Sequence, residues 1–256
     1  NISCSIQIFS QINAISLHNF IYYVHKKGES MKKIAILASG EGTNAERIIR
    51  YFSGHATVEV AVVIASRPTA RVVERAHILN VPCEIIIPQD FAAGKGLEVL
   101  KSFKVDFVVL AGFLSRIPED ILHDYAHKIV NIHPSLLPKF GGKGMYGMHV
   151  HEAVLASGEH ESGITIQYIN EHYDQGDIIF QAKCPVLSDD TVETLAQRVH
   201  ALEYTYYPQV IERCFHSRRK WYSLRNCSNV SGCVRKTSQS RCGLYICNWR
   251  TFSLLS

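Results

Sequence analysis

The chain has 256 residues and a mass of 28.8 kDa, room for one large domain or two small ones. Its 46% hydrophobic and 20% charged residues exclude a disordered or fibrous protein, and no run approaches the roughly 20 apolar residues that a membrane helix needs. The net charge of +4 is unevenly spread: residues 217–256 carry eight Lys or Arg and no Asp or Glu, residues 1–30 sum to +1, and residues 31–216 to −5. The basic balance thus belongs to a tail and not to a nucleic-acid-binding face, and the chain is expected to use neither nucleic acid nor membrane as a partner.

Three segments are expected. Residues 1–30 begin with Asn, lack both periodicity and a signal-peptide pattern, and are read as an N-terminal extension, unfolded and outside the domain. Met31-Lys32-Lys33 then runs straight into Ile34–Leu37, a buried strand. Val58–Ile64, Cys83–Ile87, Val105–Leu110 and Ile129–Ile132 are continuous apolar runs of the kind that strands covered on both faces show. Ala45–Phe52, Ala70–Leu79, Gly96–Phe103 and Pro118–Tyr125 alternate with them and have helical spacing. Such alternation predicts an α/β fold with right-handed crossovers and a mostly parallel sheet carrying helices on both faces. Gly163–Ile169 and Ile178–Val186 add two strands. Val192, Leu195, Val199, Leu202, Tyr206 and Val210 then mark a long helix, capped by Thr191 or by Ser188-Asp189-Asp190. Beyond His216 the order dissolves, and residues 217–256 are read as an irregular basic extension holding Cys227, Cys233, Cys242 and Cys247. No CxxC or Cys–His spacing suits zinc, so no metal site is expected, and the cysteines are read as reduced in a cytoplasmic protein.

Two motifs carry chemistry. Ser39-Gly40-Glu41-Gly42-Thr43-Asn44 joins the first strand to the first helix, where glycines admit an anion to free N–H groups at a positive helix end. Ala45 replaces the third glycine of a dinucleotide loop, which favours a single phosphate held by Gly42, Thr43 and Asn44; a structural turn would explain the loop equally well. Asn131-Ile132-His133-Pro134 ends a buried strand with an amide and an imidazole two residues apart. Both therefore point to one side at the carboxyl edge of the sheet. An amide donor beside an imidazole suits a tetrahedral oxyanion.

SGEGTN (Ser39–Asn44), NIHPSLLPKF (Asn131–Phe140) and INEHYDQGDII (Ile169–Ile179), in this order along some 185 residues from Met31 to Phe215, resemble the phosphoribosylglycinamide formyltransferase family. The resemblance implies a single Rossmann-like formyltransferase domain over residues 31–216. It also implies transfer of the formyl group of 10-formyltetrahydrofolate, a co-substrate, to the amine of glycinamide ribonucleotide in purine biosynthesis. By motif, Asn131 and His133 correspond to the catalytic amide and imidazole, and Asp174 to the carboxylate that pairs with His133 and favours its imidazolium. Gly42, Thr43 and Asn44 correspond to the phosphate loop, and Glu203 to the acidic residue at the glycinamide or ribose. Leu114, Ser115, Arg116 and Ile117, together with Asn131 and with Asn170, Glu171, His172, Tyr173 and Asp174, correspond to the folate-bordering segments. His149 matches the functional member of a histidine pair and His151 a helix-start residue.

The glycine-rich loop Gly141–Gly147 is longer than in many members. The partners implied are the two small-molecule substrates, with the chain a monomer or homodimer. Rival readings are a 10-formyltetrahydrofolate deformylase, another folate-dependent formyltransferase such as the methionyl-tRNA enzyme, and a non-catalytic folate- or nucleotide-binding module. The first would need a preceding regulatory domain, the methionyl-tRNA enzyme a GTP-type loop and a C-terminal barrel. Asn131, His133 and Asp174 all being present speaks against the last.

Overall fold

A computed structural model describes residues 30–172 and 174–216. The expectations for residues 1–29, for Tyr173 and for residues 217–256 lie outside the described residues. Seven strands form one sheet: β1 (Lys32–Ala38), β2 (Val58–Ala65), β3 (Cys83–Ile85), β4 (Phe107–Leu110), β5 (Ile129–His133), β6 (Glu161–Tyr168) and β7 (Ile178–Pro185). Their spatial order is β3-β2-β1-β4-β5-β6-β7. The five strands from β3 to β5 are mutually parallel, as continuous apolar runs joined by helices require, whereas β6 and β7 pair antiparallel. The third strand ends at Ile85, two residues earlier than the apolar run suggested; Ile86 still donates its N–H to the Ala65 carbonyl at 2.9 Å while its side chain enters the core.

Helices cover both faces of the parallel half. One face packs Ile34, Ile36, Val63, Val109, Val130 and Ile132 against α1 (Thr43–Phe52), α2 (Arg71–Ile78), α5 (Met148–Ala156) and the long α6 (Val192–His216). The alternate residues Ala35, Leu37, Ile64, Val108, Leu110 and Ile129 pack against α3 (Gly96–Ser102) and α4 (Glu119–Asp124), with Phe91 and Ile117 between them. Period-two alternation along each strand divides the two cores. Pro88–Asp90 and a wide helical turn at Phe91–Lys95 lead into α3.

Thr191 caps α6: its hydroxyl accepts the Thr194 N–H at 3.3 Å, while the Thr194 hydroxyl accepts the Thr191 N–H at 2.9 Å and donates to Asp190. The fully buried Tyr207 fastens α6 to the sheet, its hydroxyl lying 2.9 Å from the Leu110 carbonyl and 3.2 Å from that of Val130. The face that holds α3 and α4 changes character at β5. Asn131 and His133 pair with Gln167 and Thr165 on β6, and Thr165 with Gln181 on β7, so polar side chains continue a face that is apolar further along the sheet.

Candidate active site

Two loops meet at the switch point between β1 and β4, where chain direction across the sheet divides and open α/β sheets bind ligands. The Ser39 N–H donates to the Gly112 carbonyl at 3.0 Å, and the Ser39 hydroxyl accepts the Leu114 N–H at 3.0 Å and the Ser66 hydroxyl at 2.8 Å. The loop after β1 is thereby tied to the loop after β4.

Gly42 starts α1 with φ at 73°, and no side chain caps the helix, so its first N–H groups face outward. A Cβ on Gly42 would lie 2.6 Å from the Val72 side chain, so both the backbone and the packing against α2 require glycine. Asn44, one residue into the helix, donates from Nδ2 to Glu203 Oε2 at 2.8 Å across 159 residues of sequence. Glu203 is 4% exposed on α6, on the same side as Tyr207 one turn later.

His133 sits at the last position of β5, 4% exposed. Its Nε2 lies 2.7 Å from the Phe140 carbonyl. A carbonyl can only accept, so Nε2 carries the proton and Nδ1 is the basic atom of the neutral ring. Nδ1 faces Asp174 Oδ2 at 3.7 Å, an ion-pair separation and too long for a hydrogen bond. Asp174 is fixed by two donors: the Gly142 N–H to Oδ2 at 2.8 Å and the Gln167 side-chain amide to Oδ1 at 3.1 Å. Gly176 makes this possible, since a Cβ there would run into the Tyr168 carbonyl and stop the loop after β6 from doubling back over the sheet.

Between the two groups lies His151 on α5, 1% exposed, with an Nδ1 that has no hydrogen-bond partner among the described residues. Burial holds its pKa below the usual histidine value, the charges of His200 and His133 add to that, and Glu203 opposes it. His200 on α6 moves the other way: its hydrogen bond to Glu203 raises its pKa against the effect of burial, and the Glu203 charge adds to the rise.

The site thus holds an imidazole and a carboxylate at the end of β5 and an uncapped, glycine-started helix terminus after β1. Residues 32–211 match the family described as "Formyl transferase". The chain belongs to the formyl transferase family. The chloroplastic phosphoribosylglycinamide formyltransferase of Vigna unguiculata is 41% identical over 197 residues, covering 74% of this chain and 63% of that protein. The phosphoribosylglycinamide formyltransferase of Haemophilus influenzae is 36% identical over 188 residues, covering 71% of this chain and 86% of the relative. The crystal structure of phosphoribosylglycinamide formyltransferase from Bacillus halodurans superposes with a TM-score of 0.67 at 36% identity, over 75% of this chain and 99% of that one.

Within this formyl transferase the residues expected from sequence fall into place unevenly. Asn131 and His133 do share one face of β5, and Asp174 lies against His133; Asn44 and Glu203 do meet. Leu114 is 56% exposed beside the switch-point loop, with Ser115 half-buried and Arg116 exposed. Ile117 is 6% exposed and packs into the core above α4, so its side chain is a poor candidate for ligand contact. Asn170, Glu171 and His172 are exposed, in a turn closed by Asn170, which donates to the Gln175 carbonyl at 3.1 Å and accepts the His172 N–H at 2.9 Å.

Of the histidine pair, His149 is exposed and pairs with Glu152 at 3.1 Å, while His151 is buried near His133. Gln167, which holds Asp174, belongs to no motif of the sequence; its signal is the alternation of Thr165 and Gln167 with Ile164 and Ile166, which marks a polar strip on one face of the strand. Among the described residues no group of three or more His, Cys, Asp or Glu is arranged to hold a metal, and no helix is long and apolar enough to cross a membrane.

Proposed function

We propose that residues 31–216 transfer the formyl group of 10-formyltetrahydrofolate to the amine of 5′-phosphoribosylglycinamide, a step of purine (IMP) biosynthesis. The observation that carries this reading is the orientation of His133: Nε2 is committed to the Phe140 carbonyl, so the proton-accepting Nδ1 faces Asp174, on the strand face that Asn131 shares. Names of the relatives, phosphoribosylglycinamide formyltransferases among them, support the choice of substrates.

In the reaction the neutral amine attacks the formyl carbon, forming the new C–N bond, and the carbonyl oxygen becomes an oxyanion. The Asn131 amide and the protonated Nδ1 of His133 donate to it, and Asp174 stabilises the imidazolium. Collapse breaks the bond to the folate nitrogen. As that bond breaks, His133 gives its Nδ1 proton to the folate nitrogen and tetrahydrofolate leaves; the proton released by the amine then restores the imidazolium beside Asp174. Gly42, Thr43 and the N-terminus of α1 hold the phosphate, and Glu203, linked to Asn44, accepts from the ribose or glycinamide. Leu114, Ser115 and Arg116 border the folate on one side and the Asn170–Asp174 turn on the other. The chain acts as a monomer or homodimer in the cytoplasm; Cys83, Cys184 and Cys214 are free thiols there.

Formyl transfer from 10-formyltetrahydrofolate is to be measured with glycinamide ribonucleotide, water and methionyl-tRNA offered separately as acceptors. Turnover is expected with the ribonucleotide alone. Formate release without an acceptor would make the chain a deformylase, and binding of both ligands without turnover would make it a binding module.

A further inference from the structure

Glu203 is 4% exposed, and a carboxyl group buried so deeply needs hydrogen-bond donors. Asn44 Nδ2 and His200 Nδ1 supply them, each at 2.8 Å and both on the same oxygen, Oε2. Neither of these two bonds uses Oε1. His200 stands three residues before Glu203 on α6, with 42% of its side chain exposed against 5% for Glu203, so the imidazole is open to solvent. Its ring is steadied on two further sides: it stacks on Tyr204 at 6.0 Å and 11°, and the His151 ring meets it edge-on at 6.3 Å. The Arg47 guanidinium covers the Tyr204 ring at 5.1 Å.

We propose that His200 is a positioning residue for the ribonucleotide: it holds the Glu203 carboxylate in one orientation with Oε1 turned to the ligand hydroxyls or amine, and it grips hardest when the imidazole is protonated. This rests on the assignment of Glu203 to the ribonucleotide made above. The groups facing His200 are Glu203 and Tyr204 from α6, His151 from α5, and Asn44 with Arg47 from α1. Glu203 is the acidic group among them, and its hydrogen bond favours the His200 imidazolium, whereas burial disfavours a charge on His151. As pH rises through the raised pKa of His200, the ion pair weakens to a neutral hydrogen bond. It is lost outright in rings whose remaining proton moves to Nε2. The ribonucleotide KM should therefore climb over that interval, whereas the folate KM should not follow it.

The full-length protein and its His200→Ala, His200→Gln and Glu203→Gln variants should be compared in formyl-transfer kinetics between about pH 6 and 9. Loss of one hydrogen bond to a charged group predicts a ribonucleotide KM raised about 10-fold or more in His200→Ala at the acid end, with kcat and folate KM changed far less. Glutamine can still donate but cannot titrate, so His200→Gln should recover most of the affinity and lose the rise of KM with pH. In wild-type protein the NMR titration of the His200 ring should lie above that of an ordinary histidine and fall in Glu203→Gln.

A His200→Ala KM equal to wild type at every pH, or a His200→Gln KM that keeps the wild-type pH profile, would overturn the assignment. Should the alanine variant not fold, the glutamine variant and the NMR titration decide. A wild-type protein that does not formylate the ribonucleotide refutes the proposed function itself. An active Glu203→Gln variant with an unchanged ribonucleotide KM refutes the Glu203 assignment, and the role of His200 with it.

Discussion

Asp174→Asn keeps the shape of the side chain and removes its charge. In the wild-type protein Asp174 Oδ2 and His133 Nδ1 are 3.7 Å apart, with side-chain exposures of 14% and 5%. At that separation, and at the effective dielectric of ~20 that suits partly buried sites, the imidazolium gains about 4 kcal/mol from the carboxylate. The amide also brings a donor against either the Gly142 N–H or the Gln167 amide, both of which now donate to Asp174. At ~1.4 kcal/mol per decade of rate, the substitution is expected to lower kcat by about 10²–10³-fold, the loss that follows when one oxyanion donor is silenced.

His133→Ala should lose at least as much, because the alanine abolishes both the donor and the group that Asp174 stabilises. The Asp174→Asn/His133→Ala double variant should then lose little more than the worse single variant, since residues that act as a unit are strongly non-additive. Single-turnover formyl-transfer rates with saturating ribonucleotide and folate measure this directly. Losses that multiply in the double variant would show that the two residues act independently, and would refute their pairing.

Gly42→Ala places a Cβ 2.6 Å from Val72 at a φ of 73°, whereas a Cβ on Gly40 meets nothing within 4 Å. Thermal unfolding should therefore drop for Gly42→Ala and stay near wild type for Gly40→Ala. If the loop holds the phosphate, inorganic phosphate should compete with the ribonucleotide and not with folate, and inhibition kinetics that show otherwise would remove the loop from the site. A chain restricted to residues 31–216 should fold and retain formyl transfer, checked by unfolding and by kcat; loss of the cooperative transition would show that an extension belongs to the domain.

Asp190 is held well below the usual carboxylate range by its two hydrogen bonds to Arg198, then by the Leu187 N–H and the Thr194 hydroxyl. A lowered folded-state pKa stabilises the protein above the unfolded value of about 3.9, and that stabilisation is lost as pH falls through the lowered value. Asp190→Asn should thus depress the melting temperature near neutrality, and the gap to wild type should close in acid. A gap independent of pH would contradict the assignment.

Much of this protein was legible in its sequence, for local physical reasons. Apolar runs such as Val58–Ile64 and helical spacing such as Ala45–Phe52 report burial on two faces or on one, and they predicted the parallel half of the sheet with its covering helices. Alternation along a strand placed Asn131 and His133 on one side before any tertiary contact was known. Pairing direction is a different matter: a buried strand looks alike whether its neighbour runs parallel or antiparallel, so the reversal at β6 and β7 emerged only in three dimensions. The same holds for partners far apart in the chain. Asn44 meets Glu203 because α6 is fastened to β4 and β5 through Tyr207, and Asp174 reaches His133 because Gly176 lets its loop double back while Gln167 holds the carboxylate. Of the two histidines in Met148-His149-Val150-His151, residue type and spacing could not say which turns inward. Packing of α5 against the sheet decided it, since burial at a helix position depends on which side the rest of the molecule occupies.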